Sequence, residues 1–283
     1  MSWSAVLGQT GMTLGAIALA MILVALIEVA VPLHARDARY RAHTLPNLSL
    51  TLITLATNII YNVALVLLLA WLEARQFGLL RWLGLGPWLS ACVGFVLLDG
   101  SFYVAHVCMH KLPALWRVHK VHHCDPVLDV TTSIRQHPLE GIIRYGFMAA
   151  CACSLGVGLG AFAAYRAVSA LNGLLEHANV RVSDRFVQRA SWLTTWFDVH
   201  RIHHSRVPSE TDSNYGNIFS WFDRLFGTFT PPGRGKAVAC GLDDLDAPEL
   251  QTTMGLLALP FAGSPAARAA TRYVPAPLPE MRP

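Results

Sequence analysis

Residues 99–123 read DGSFYVAHVCMHKLPALWRVHKVHH. An apolar run closes in His106-x-x-x-His110, and His119-x-x-His122-His123 follows after a short linker. On a helix, positions i and i+4 share one face, and i+3 lies beside them. A third cluster, His200-x-x-His203-His204, repeats the second spacing. With 12 histidines in 283 residues, chance would place HxxHH about 0.02 times per chain. It occurs twice, so composition does not produce it. Neutral imidazole is a ligand for Fe, Zn, Cu and Ni. Eight clustered imidazoles exceed what one ion uses, so two ions are expected. Structural zinc would want cysteines or only four ligands. Histidine-rich sites with open positions suit iron that must bind O2.

The other four histidines divide by address. His34 and His43 are isolated and read as surface or internally satisfied residues. His137, in RQHPLE, and His177, in LLEHAN, lie close enough to the boxes to fill two metal shells. Asp99 is a carboxylate inside an apolar span, seven residues before His106, and needs a partner there. Asp99, Asp125, Glu140, Glu176 and Asp198 are candidates to accept the second ring N–H of a ligand histidine. Each also reads equally well as a helix cap or interface charge.

Around the boxes the chain is apolar. Hydrophobic residues make up 53% and charged residues 14%, with mean hydropathy +0.40, against about 25% charged in soluble domains. That excludes a disordered tail, a coiled coil and an ordinary soluble enzyme. The expected fold is all-α and multi-pass, with about four transmembrane helices in two hairpins under a cytosolic, histidine-rich helical cap. Spans are expected at 12–31, 48–72 and 88–105. The stretch 141–176 is interrupted by Gly156, Gly158 and Gly160 and reads as a hairpin. Its first arm, 142–155, rises only about 21 Å and need not cross fully. Three units follow: a hairpin over 1–87, a catalytic region over 88–235, and a proline-rich, partly disordered tail over 236–283.

The N-terminal segment lacks Lys and Arg, so an uncleaved helix is expected rather than a signal peptide. Folding 141–176 as a hairpin puts 33–47, 106–140 and 177–283 on one face. That face carries most of the Lys and Arg and is expected to be cytoplasmic, at the inner membrane if the source is bacterial. The net charge of +4 is scattered, which argues against nucleic acid. The six cysteines form no CxxC and read as reduced core thiols.

The order HxxxH, HxxHH, HxxHH resembles the membrane-bound fatty acid hydroxylase superfamily, also called the sterol desaturase family. Residues 131–140 (TTSIRQHPLE), 174–180 (LLEHANV) and 198–229 (DVHRIHHSRVPSETDSNYGNIFSWFDRLFGTF) extend the likeness over about 90–230. The last stretch resembles the branch that includes alkylglycerol monooxygenase and bacterial relatives. The resemblance implies a non-haem di-iron centre that consumes O2 and two electrons. Its ligands would be His106, His110, His119, His122, His123, His177, His200, His203 and His204, with His137 at a position of variable role. Asp99, Glu140, Asn179 and Asn214 would stand behind them. The substrate would be a fatty acyl, sterol or ether lipid, hydroxylated or desaturated. No cytochrome-like or flavin-binding segment is present, so a separate electron donor is expected.

Two other classes compete. A metal transporter or metal-binding membrane protein would want ligands at mid-membrane on broken helices, whereas these boxes sit at helix ends. A zinc hydrolase would show HExxH, which is absent.

Overall fold

The computed structural model describes residues 3–36 and 38–262. The described chain is helical and holds no strand, only three isolated bridges. Five long helices carry it: α1 (Trp3–Ala30), α2 (Ala38–Ala74), α4 (Pro87–Lys111), α6 (Pro138–Leu155) and α7 (Leu159–His177). Shorter ones are α3 (Leu79–Trp82), α5 (Pro113–His123), α8 (Asp184–Ala190), α9 (Asp198–His203), α10 (Pro208–Thr211), α11 (Trp221–Leu225) and α12 (Thr253–Ala258), with 3-10 turns at Thr132–Ile134 and Pro232–Ala237.

The stretches Tyr40–Trp82 and Pro87–Lys111 are long and apolar enough to cross a membrane, and Gly15–Ala30 is a shorter apolar helix. The outward faces of these helices are greasy: Leu52 is 69% and Ile60 70% exposed. Continuous exposed apolar flanks of this kind are not kept in water; this is a membrane protein. The 33–47 region, which falls between the expected spans and reads as a polar loop, is largely helical instead. Helix α2 starts at Ala38 and runs through Pro46, because the His43 and Asn47 side chains on its inner face are held by the segment 125–131.

Helices α2, α4, α6 and α7 pack around Leu65, Leu69, Leu98, Met148, Phe162 and Tyr165. Helix α1 packs chiefly on α7. Its Glu28 is fully buried and pins it to the cap, accepting from Val130 N–H (2.8 Å), Asn179 N–H (2.9 Å) and Arg36 (3.0 Å). The expected 141–176 hairpin is present. Helix α6 ends at Gly156, left-handed at φ +70°, and α7 begins three residues later. A Cβ on Gly156 would lie 2.3 Å from the Phe77 carbonyl oxygen, so the bend also touches the α2–α3 connection.

The break between the first two boxes has a local cause. Leu112 is extended (φ −97°, ψ 115°) because a residue before proline is pushed out of the helical region. Pro113 then opens α5, folding the second box back against the first. Past residue 236 the chain also contributes to the cap: Leu245, Leu256 and Leu259 pack with Leu50, Val121 and Cys124. The proline-rich stretch from 263 onward lies outside the described residues.

Candidate metal centre

Nine of the twelve histidines converge in two groups. His106, His110, His119, His123 and His203 form one; His122, His177, His200 and His204 form the other. Within each group the ligand atoms all lie within 4.8 Å of one another. All nine side chains are buried. The groups adjoin, since the His123 and His204 rings stack with centroids 4.5 Å apart.

The two HxxHH boxes are split between the groups in opposite senses. In α5, His119 and His123 serve the first group and His122 the second. In the α9 box, His200 and His204 serve the second and His203 the first. At 3.6 residues per turn, i+4 and i+3 point about 100° apart, on either side of i. Each box therefore touches both groups.

Hydrogen bonds fix the rings. His106 Nδ1 lies 2.8 Å from the Tyr215 carbonyl and His203 Nδ1 2.7 Å from that of Ser213. His122 Nδ1 meets Arg135 O at 3.2 Å and His177 Nδ1 meets Gly173 O at 2.8 Å. A carbonyl only accepts, so each of these Nδ1 atoms carries the proton and each Nε2 is a bare lone pair. Yet His106 and His203 Nε2 are 3.0 Å apart, and His122 and His177 Nε2 are 3.2 Å apart. Two lone pairs facing each other in a buried site repel unless a cation lies between them. The spacing fits one: ligands roughly 2.1 Å from an ion stand roughly 3.0 Å apart at right angles. Burial and neighbouring histidines hold His122, His123, His200 and His204 well below the ordinary imidazole value, and burial takes His203 to about 3. The rings are thus neutral, as ligands must be. Neither ring nitrogen of the buried His204 has a hydrogen-bond partner among the described residues. The donor set fits two metal ions.

Carboxylates back three other rings. Glu140 Oε2 is 3.2 Å from His119 Nδ1, Asp212 Oδ1 3.5 Å from His110 Nδ1, and Glu176 Oε1 4.0 Å from His200 Nδ1. Of the four residues expected behind the ligands, only Glu140 touches one. Asp99 accepts instead from Ile218 and Phe219 N–H, and from Asn217 and Tyr165. Asn179 bridges His34 and α1. Asn214 donates to Val199 and Thr230 carbonyls and accepts from Thr230 N–H, bracing the turn whose flanking carbonyls hold His203 and His106. His137 joins neither group. Its Nδ1 caps α6 by accepting from Leu139 N–H, and its Nε2 lies 3.2 Å from the Leu257 carbonyl. His43 lies between two carboxylates, its Nδ1 bonded to Asp125 at 3.0 Å and its Nε2 3.3 Å from Asp129. Asp212 was not a sequence candidate; its one signal is its place eight residues beyond the third box.

Residues 91–228, which span both groups, match the family model for fatty acid hydroxylase. The chain carries a fatty acid hydroxylase domain. The domain is similar to ornithine lipid hydroxylase OlsE of Rhizobium tropici, 33% identical over 153 residues, or 53% of this chain and 44% of that one. It is also similar to alkylglycerol monooxygenase of Danio rerio (30% over 148 residues, 51% and 32%) and of Homo sapiens (27% over 162 residues, 56% and 34%). The chain therefore spans less than half the length of these relatives. No solved structure matches it.

Proposed function

We propose that the protein is a membrane-bound, O2-dependent lipid hydroxylase or desaturase whose two histidine groups each hold one iron ion. The carrying observation is the pair of facing Nε2 lone pairs, one pair in each group, inside a domain whose family oxidises lipids. Iron bound there would supply O2 activation and removal of hydrogen from an unactivated C–H bond, with two electrons from a separate donor protein or reductant.

The protein's own residues do the rest. Carbonyls of Tyr215, Ser213, Arg135 and Gly173 hold four rings in the ligating tautomer. Glu140, Asp212 and Glu176 lie behind three more, 3.2, 3.5 and 4.0 Å from their Nδ1 atoms, placed to orient those rings. Arg135 is fully buried, and its side chain donates to the Val121 carbonyl and to Asn47 and Gln251, fixing the carbonyl that orients His122. Burial of the whole set keeps water from an oxidising centre.

The apolar helices give a lipid chain its route from the bilayer. The named relatives act on an ornithine lipid and on alkylglycerols, both of which pair a long chain with a polar head, and that is the substrate class we assign. In this reading α1, α2, α4 and the α6–α7 hairpin make about four spans, the boxes face the cytoplasm, and Glu140 joins the nine histidines as a site residue. Asp99, Asn179 and Asn214 act through backbone placement, and His137 as a helix cap. The transporter alternative is disfavoured because the histidines are buried at helix ends and each HxxHH box contributes to both adjacent groups, which holds ions rather than passing them.

The test is lipid profiling of cells with and without the gene. A product heavier by the mass of one oxygen marks hydroxylation and one lighter by two hydrogens marks desaturation. An unchanged lipid profile together with changed metal uptake would favour the transporter.

A further inference from the structure

We infer that the cap edge formed by 192–193 and α11 is a lipid seat. Trp192, Leu193, Trp221, Leu225 and Phe226 insert into the same leaflet that α4 crosses, and the arginines of α8 meet its anionic headgroups. This rests on the membrane reading of α4.

The argument begins at Gly100. A Cβ there would lie 2.9 Å from the Phe222 ring, so α11 presses directly on the α4 backbone. One turn on, Tyr103 stacks with Phe222 and Phe226, centroids 5.9 and 5.4 Å away. Gly100 is roughly 16 Å along the helix from Lys111, the cap end of α4. A segment docked there lies below the end of the span, not above it. Gly100 also sits between Leu97 and Val104 on one helical face, and both are exposed, at 40% and 47%. The outer side of α11 continues that lipid-facing flank.

Irregular backbone at such depth survives only where protein satisfies it. Here Asp99 accepts the N–H groups of Ile218 and Phe219, and Asp223 those of Tyr215 and Gly216. The side chains turned outward are apolar: Leu225 is 68% exposed, Trp192 69%, and Phe226, Leu193 and Trp221 close to half. The two stretches form one patch, because Ser220 N–H donates to the Leu193 carbonyl and Thr194 bridges Phe219.

Charge agrees with an interfacial position. Arg185 and Arg189 on α8 are exposed, and the nearby acid, Asp184, is taken by Lys236. Arg224 lies between the Trp192 and Phe229 rings, 4.1 and 3.7 Å from their centroids. Aromatic rings with arginines beside them are the composition of a headgroup boundary. Thr195, which follows Thr194 of the patch, bonds Glu176, the carboxylate behind His200. The seat therefore adjoins the metal centre.

The test places a fluorescent amino acid by amber suppression at Trp192, Leu225, Ile60 or Asp243 of the full chain. The proteins go into nanodiscs of phosphatidylcholine and phosphatidylglycerol, with or without bromine at mid-acyl chain. Probes at 192 and 225 should lose about half their emission or more to bromolipid and resist iodide, while the one at 243, an 80%-exposed charged position, behaves oppositely. Iodide quenching at 192 and 225, with bromolipid quenching retained at 60, would overturn the seat and leave the spans standing. The same holds if shielding at 225 arises only on adding a protein partner. Iodide quenching at 60 as well would overturn the membrane reading itself.

Discussion

His122 and His123 are chain neighbours that serve different groups, and the same is true of His203 and His204. Single-residue changes should therefore separate the groups. His200→Ala is expected to lower bound metal from about two ions per chain to about one and to abolish turnover, with membrane insertion intact. His203→Ala should do the same from the other group. Metal analysis and a lipid oxidation assay on purified variants check this; full turnover in both would contradict the ligand assignment. Glu140→Gln keeps the shape beside His119 but removes the charge, and a loss of about 10–100-fold in metal affinity or activity is expected. An unchanged titration would remove Glu140 from the site. The convergence of these histidines was legible in the sequence because their spacing is improbable and their chemistry narrow. The residues behind them were less so. Asp99 and Asn179 look alike on paper to Glu140, but they bond groups other than the histidines, among them backbone groups that folding brings from far along the chain.

At the scale of elements, the α6–α7 hairpin turns at Gly156, where positive φ and the Phe77 carbonyl both exclude a side chain. Gly156→Ala should cost at least about 1–2 kcal/mol, read as a lower thermal midpoint in detergent; an unshifted midpoint would mean the turn relaxes freely. The sequence marked this turn by its glycines and the box-to-box fold only by the short linker between the boxes; the extended Leu112 before Pro113 is what makes that fold. It concealed the early start of α2. His43 and Asn47 look like loop residues until Asp125 and Thr131 are placed against them. It also concealed the packing of 245–259 on α5, since short apolar stretches carry little periodicity.

For the molecule as a whole, burying neutral imidazoles such as His122, His200, His203 and His204 makes the metal-free fold acid-sensitive. Above pH about 6.5 His203 is neutral folded and unfolded, and contributes no pH dependence. Below it the unfolded chain takes up a proton that the folded chain refuses until about pH 3, so stability falls by about 1.4 kcal/mol per pH unit for each such histidine. Chelator-stripped protein should thus melt at a markedly lower temperature at pH 5.5 than at 7.5, with several rings adding together. Equal midpoints would indicate that the rings are not buried neutral.

The central claim is that the two histidine groups each hold an ion, and metal content measures it directly. Detergent-purified protein, grown with iron and assayed by elemental analysis against quantified polypeptide, should carry about two iron atoms per chain. One zinc per chain, or one ion of any kind in fully loaded protein, would contradict the account.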